Sequence, residues 1–188
     1  ADFDKDNLKK IISDNKIEYI LPLSVPDVRA IDRIRLPNNI TVLFPEKGTR
    51  GILHDKMAFT NFMMKNFNDC IPTVYYLNNK KIKDIEFPVI SKPMYSVAGD
   101  GMELFLDENA FSNAKSKLII QKFIEYEYEY GAHMLCINGK IINWKVIRFK
   151  YDKHHIKKVN FPNNYENVED FKIELFKDII KKLKYTGG

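Results

Sequence analysis

Glycine and cysteine are both scarce in this chain, with 8 and 2 copies in 188 residues, and tryptophan occurs once. Neither G-x-x-x-x-G-K-[ST] nor G-x-G-x-x-G is present, so the P-loop and the dinucleotide fingerprint are both excluded. Cys70 and Cys136 sit far apart in apolar surroundings. That excludes a disulfide framework and reads as two core residues in a reducing, intracellular setting. The four histidines, His54, His133, His154 and His155, show no H-x-x-x-H spacing and read as surface or turn residues rather than metal ligands. No serine stands in a nucleophile-elbow context. No apolar run approaches the ~18 residues of a membrane span, and no signal-peptide pattern opens the chain. The expectation is a soluble, cytoplasmic protein with no membrane partner.

What is present is an ordinary globular balance, 45% hydrophobic and 29% charged, with 13 Phe and 10 Tyr to fill a core. The net charge of +5 permits phosphate contacts of any kind. The lysines are scattered, however, and the densest group (Lys177, Lys181, Lys182, Lys184) falls on a helical pattern, where it reads as a solvated face. With no recognition module legible, nucleic acid is not the expected partner. The sequon Asn39-Ile40-Thr41 is short enough to arise by chance. The chain begins Ala1-Asp2-Phe3 and closes with Tyr185-Thr186-Gly187-Gly188 directly after a helix, so it reads as a piece of a longer protein.

Periodicity predicts a helix over 4–16, a buried strand over 17–24, a short helix over 27–34 and a strand over 40–45. Helix, strand, helix, strand is the rhythm of an α/β unit with parallel strands. Next come a helix over 54–68 with Met57, Phe62 and 64–67 on its apolar face, a strand over 72–77 and a polar loop over 78–84. "LIIQKFI" (118–124) is a strand after a short helix over 108–117. "YEYEYGAHMLCING" (126–139) alternates like a half-exposed strand and ends in Asn138-Gly139, a hairpin turn, with its return strand over 140–151. Residues 152–167 read as irregular, and 168–184 as an amphipathic helix. The class is α+β with an α/β start and a mainly antiparallel second half.

The stretch "FPVISKPMYSVAGDGMELF" (87–105) carries the clearest chemical signal. A strand ends near Lys92, and Gly99 and Gly101 follow before a second strand. Glycine-permissive backbone turns N–H groups toward an anion, and a lysine beside them supplies charge, an arrangement that holds polyphosphate. The same residues also fit a plain β-hairpin with a loose tip.

Three stretches in order resemble the ATP-grasp superfamily, in particular the carboxylate–amine ligases similar to carbamoyl-phosphate synthetase and biotin carboxylase. "HDKMAFTNFMMKNFNDCIPTV" resembles the family's D-K helix, "FPVISKPMYSVAGDGMELF" its P-[VI]-[VI]-x-K-P strand and glycine loop, and "LIIQKFIEYEYEYGAHMLCINGKII" its hinge strand and hairpin. The resemblance spans roughly residues 54–148. It implies the C-terminal part of a Rossmann-like α/β domain over 1–50 and an ATP-grasp domain over 51–188, with a lid over about 72–120 and an incomplete subdomain over 121–188.

By that resemblance Lys56 and Lys92 contact the phosphates of ATP, and the loop with Ser96, Gly99 and Gly101 covers them. Gln121, Lys122, Phe123 and Ile124 border the adenine, with backbone groups of Lys122 and Ile124 reading its edge. Glu129 accepts from the ribose hydroxyls, or is one more strand carboxylate beside Glu125 and Glu127. Arg148 stabilises a γ-phosphate or acyl phosphate, or makes a surface ion pair. Tyr126 stands where the family usually has a glycine. The family's Mg2+ ligands lie on strands beyond a segment resembling "YTGG", so no metal ligand is assigned. The implied activity is ATP-dependent ligation of a small carboxylate to an amine or similar nucleophile through an acyl phosphate. The alternatives are a non-catalytic nucleotide-binding or scaffold module and, more remotely, a basic RNA-binding module.

Overall fold

The computed structural model describes residues 5–75, 84–94, 100–112, 118–151 and 164–188. Packing divides the chain into two compact units, one of residues 1–50, 132–145 and 170–188, the other of residues 51–131 and 146–169.

The first unit opens with helix α1 (Lys5–Asp14), strand β1 (Tyr19–Ile20), helix α2 (Val25–Ile31) and strand β2 (Thr41–Val42). β1 and β2 pair in parallel, Tyr19 opposite Thr41, as the helix–strand alternation requires. The stretch 17–24 is not a buried strand: only two residues pair, and Tyr19, Leu21 and Leu23 are exposed. A pair of two-residue strands is too short to shield the alternate side chains on either side of it. Ser24 caps α2 by accepting from the Asp27 N–H at 3.3 Å.

Helix α3 (Lys47–His54) is not legible in the sequence, because Gly48 and Gly51 lower its helix propensity. Tertiary contacts override that. The guanidinium of Arg50, buried in α3, donates to both carboxylate oxygens of Asp32 at 2.9 and 2.7 Å and to the Pro45 carbonyl at 3.2 Å, and it lies 4.4 Å over the Phe44 ring. This unit also holds the tip of a hairpin formed by β7 (Tyr128–Ile137) and β8 (Lys140–Lys150), turning at Asn138 and Gly139 with φ of 48° and 77°. A Cβ on Gly139 would lie 3.2 Å from the Lys181 Cα, so the turn conformation and the close approach both call for glycine there. Helix α6 (Glu174–Leu183) starts six residues later than the periodicity suggests, and Lys177, Lys181, Lys182 and Lys184 are exposed.

The second unit is built on an antiparallel sheet in the order β3 (Val74–Tyr75), β6 (Leu118–Lys122), β4 (Val89–Pro93), β5 (Glu103–Phe105). Val89 pairs with Phe105 on one side and Lys122 on the other, and Lys92 stands opposite Ile119. One face carries the core, where Tyr75, Ile85, Val89, Phe105 and Ile120 cluster with Phe111 of helix α5 (Glu108–Ser112). Phe105 and Phe111 meet edge to face at 5.2 Å. Helix α4 (Lys56–Asn66) is capped by Asp55, whose carboxylate accepts from the Met57 and Ala58 N–H groups at 2.8 and 3.0 Å. Its buried residues are Thr60 and Met63 rather than Met57 or Phe62, because the helix presents a broad apolar surface with no single stripe.

Two further expectations are corrected. Cys136 is fully buried, but Cys70 is exposed; it closes a 3-10 turn (Asn68–Cys70) that buries none of its residues. Residues 164–168, read as irregular, form strand β9 (Asn164–Val168) antiparallel to β8. Their polar composition hides a strand exposed over most of its length. Among the described residues no helix is long and apolar enough to cross a membrane.

Candidate functional site

The face of the β3-β6-β4-β5 sheet opposite the core fronts a cavity of about 390 Å3. Strand alternation decides which side chains reach it. Val89 and Ser91 of β4 face the core side, so Lys92 faces the other, with its cross-strand neighbour Ile119. On β6 the same alternation sends Ile120 to the core and Gln121 into the cavity. Helix α4 forms another wall with Lys56, Phe59, Thr60 and Met63, spaced so that one helical face lines the space. The Lys56 N–H lies 3.4 Å from the Met94 carbonyl, which ties the start of α4 to the end of β4. Ile71, Pro72, Leu53 and Met102 complete the lining.

Among the described residues the lining holds two cationic side chains, Lys56 and Lys92, and no acidic one. Burial, and after it the positive charge of Lys56, pushes the Lys92 ammonium below the ordinary lysine value. Two half-buried cations in one cavity whose described lining holds no carboxylate are complementary to a bound anion. Gln121, 7% exposed, adds an amide at the same wall. Together these donors suit an anionic group.

The other predicted residues fall around this cavity to different degrees. Gly101 has φ of 69°, and a Cβ there would stand 2.8 Å from the Pro93 Cγ. The turn between β4 and β5 therefore requires glycine, next to Met102 in the lining. Ser96 and Gly99 lie outside the described residues. Lys122 turns to the opposite side of the sheet: its ammonium donates to the Glu86 and Phe87 carbonyls, both at 3.2 Å, and pairs with the Glu86 carboxylate. Its N–H donates to the Thr73 carbonyl at 2.8 Å, and the Phe123 N–H to the Pro88 carbonyl at 2.9 Å. Any backbone role of Lys122 toward a base thus rests on its carbonyl. Phe123 packs on Tyr126 with ring centres 6.4 Å apart, and Ile124 is exposed.

Glu129 is half-buried, whereas Glu125 and Glu127 are exposed, which separates it from its neighbours on the alternation. Its charge helps raise the Tyr151 phenol above the ordinary tyrosine value, after burial and ahead of Tyr126. Arg148 makes an ion pair with Glu166 directly across the β8–β9 ladder and stacks over the Tyr128 ring at 4.5 Å. The ion-pair reading of Arg148 is therefore the one the structure displays.

Sequence reasoning missed Thr60, Met63, Ile71 and Met102 as wall residues. Thr60 and Met63 left a signal, four and seven positions after Lys56 on one helical face. A larger cavity of about 770 Å3 in the first unit, walled by Trp144, Phe176 and Ile180, contains none of the predicted residues. Among the described residues no three His, Cys, Asp or Glu side chains converge in a way that could hold a metal ion.

Residues 53–188 match the ATP-grasp domain family. The chain belongs to that family. No curated protein matches its sequence. Among solved structures it is similar to a Rhizobium etli pyruvate carboxylase variant, with 16% identity and a TM-score of 0.57 over 98% of this chain and 18% of that one. It is also similar to the biotin carboxylase domain of Hydrogenobacter thermophilus 2-oxoglutarate carboxylase, crystallised with ADP, magnesium and bicarbonate, with 15% identity and a TM-score of 0.54 over 97% and 46%. D-alanine–D-alanine ligase from Bacillus anthracis, complexed with ATP, gives 16% identity and a TM-score of 0.52 over 95% and 65%. At these identities the likeness establishes the ATP-grasp fold, and the chain spans less than two thirds of each of these proteins.

Proposed function

We propose that this chain is the nucleotide-binding part of an ATP-dependent ligase that joins a small carboxylate to an amine or similar nucleophile. The observation that carries the reading is the cavity that gathers Lys56, Lys92 and Gln121 with no acidic side chain in its described lining. The family membership of residues 53–188 supports it.

In this reading Lys56 and Lys92 hold the phosphates from α4 and β4, the two walls tied together at Lys56 and Met94. Their charges offset the anion in a partly desolvated space, where each such contact is stronger than in water. The turn at Gly101 bounds the phosphate end. Gln121, the Lys122 carbonyl and Ile124 border the base, and Glu129 receives the ribose hydroxyls. A phosphate role for Arg148 requires Glu166 to give way to the anion. When bound, ATP supplies the phosphoryl group that turns the carboxylate into an acyl phosphate. The described residues offer no set for Mg2+, and no step is drawn through a metal. The identity of the carboxylate belongs to parts of such ligases that this site does not specify.

Calorimetry of ATP binding, with and without magnesium, on the chain and on Lys92→Ala, tests the proposal. Saturable binding that weakens in the variant supports it. Equal affinity in the two proteins, or none in the folded wild type, removes the cavity as the nucleotide site and favours a scaffold module.

A further inference from the structure

Lys92 combines three features that a phosphate ligand alone does not require. It is half-buried against apolar neighbours such as Ile119 and Met102, it shares the cavity with a second cation, and it has no carboxylate partner among the described residues. Its ammonium loses a proton more readily than an exposed lysine does, first through burial and then through Lys56. Desolvation beside another cationic group favours the uncharged, nucleophilic form of a lysine. Lys56 is the one other ionisable side chain in the described lining.

We infer that Lys92 is a self-modification site for acyl phosphates: Lys56 anchors the phosphate and the Lys92 amine, once it has given up its proton, attacks the acyl carbon. The nitrogen lone pair forms the C–N bond, the C–O bond to phosphate breaks, and inorganic phosphate departs with that electron pair. The amine proton passes to phosphate or solvent. No oxidant or further reactant is needed. The product is an Nε-acyl amide that carries no charge, so the cavity loses one of its two cations. This inference rests on the proposed nucleotide reading for its consequence, a site that silences itself when acyl phosphate accumulates. The nucleophilic step stands on the cavity alone.

The test is incubation of the 188-residue chain with acetyl phosphate at pH 7–8, with peptide mass spectrometry of each lysine over time. Lys92 is expected to acetylate about tenfold faster than the exposed Lys181 and Lys182. Lys56→Gln should slow Lys92 alone, and Lys56→Arg should restore it. With p-nitrophenyl acetate, which has no phosphate to anchor, the Lys56→Gln effect should be smaller. Lys92 acetylating no faster than Lys181, or a Lys56→Gln effect equal for both donors, overturns the inference.

Incubation with ATP and acetate instead of acetyl phosphate separates an acyl phosphate made in the site from one arriving from solution; Lys92 labelling in either arm supports the inference and names the source. Protection by ATP reports on the nucleotide reading independently. Fast acetylation without ATP protection would sink that reading and keep this one, and ATP binding without fast acetylation would do the reverse.

Discussion

The two faces of the β3-β6-β4-β5 sheet are made by alternate residues of the same short strands and do opposite work. Val89 and Ile120 are 0% and 1% exposed and join Tyr75, Phe105 and Phe111 in a closed apolar cluster. On the opposite phase of the alternation, Lys92 (next to Ser91) and Gln121 (next to Ile120) line a cavity with a second lysine. The first face stabilises the unit by removing apolar surface from water. The second carries a charge that folding would favour losing. Chemistry and stability are thus separated by a single step of the strand, and substitutions on adjacent positions should move them in opposite directions.

The largest effect is expected on the core face. Phe105→Ala removes the ring that meets Phe111 at 5.2 Å and should cost about 3–5 kcal/mol in urea denaturation. A loss below 1 kcal/mol would mean that this face is not the core. On the cavity face, Lys92→Ala should weaken ATP binding by about 1.5–3 kcal/mol, roughly 10- to 100-fold in Kd, with the denaturation midpoint no lower than wild type.

At the junction between the faces, Gly101→Ala places a Cβ 2.8 Å from Pro93 in a left-handed conformation. A destabilisation of about 1–2 kcal/mol is expected, and a neutral outcome would show that the turn relaxes freely.

Lys92→Met should raise stability at pH 7 by about 0.5–2 kcal/mol while abolishing anion binding. The pH dependence gives the sign. Below its lowered folded-state pKa, Lys92 is charged in both states and the cost of burying the ammonium is fully present. From there up to the ordinary value of 10.5, the unfolded chain keeps a proton that the native state has released, so wild-type stability rises with pH. The advantage of Lys92→Met should shrink over that window, and an advantage constant to pH 10 would contradict the assignment. The smallest effect is expected at Ser91, fully buried, whose Oγ has no hydrogen-bond partner among the described residues. Ser91→Ala should be stabilising by about 0.5–1 kcal/mol.

How much of this was legible follows from the range of each signal. β4, β6 and the Asn138-Gly139 turn were readable because period-2 alternation and positive-φ residues act within a few positions. α3 was not, because Gly48 and Gly51 argue locally against a helix whose support comes from Arg50 and Asp32, 18 residues apart. β9 was hidden for a related reason: Asn164 to Val168 become a strand only by pairing with β8. The exposure of Cys70 and of Leu23 likewise depends on which neighbours arrive.

By itself, the sequence determined the chemistry available. It contained a lysine at the end of an apolar strand, a second lysine opening a helix, a glycine where the next turn needs positive φ, and the pattern of a known family. Only the tertiary structure decided that Lys56 and Lys92 share one cavity, that Lys122 turns away to the Glu86 and Phe87 carbonyls, and that Glu166 engages Arg148. The reason is physical. Periodicity specifies the face of an element that a side chain leaves from, but burial and charge pairing are set by whatever packs opposite, and that is fixed only when distant segments meet.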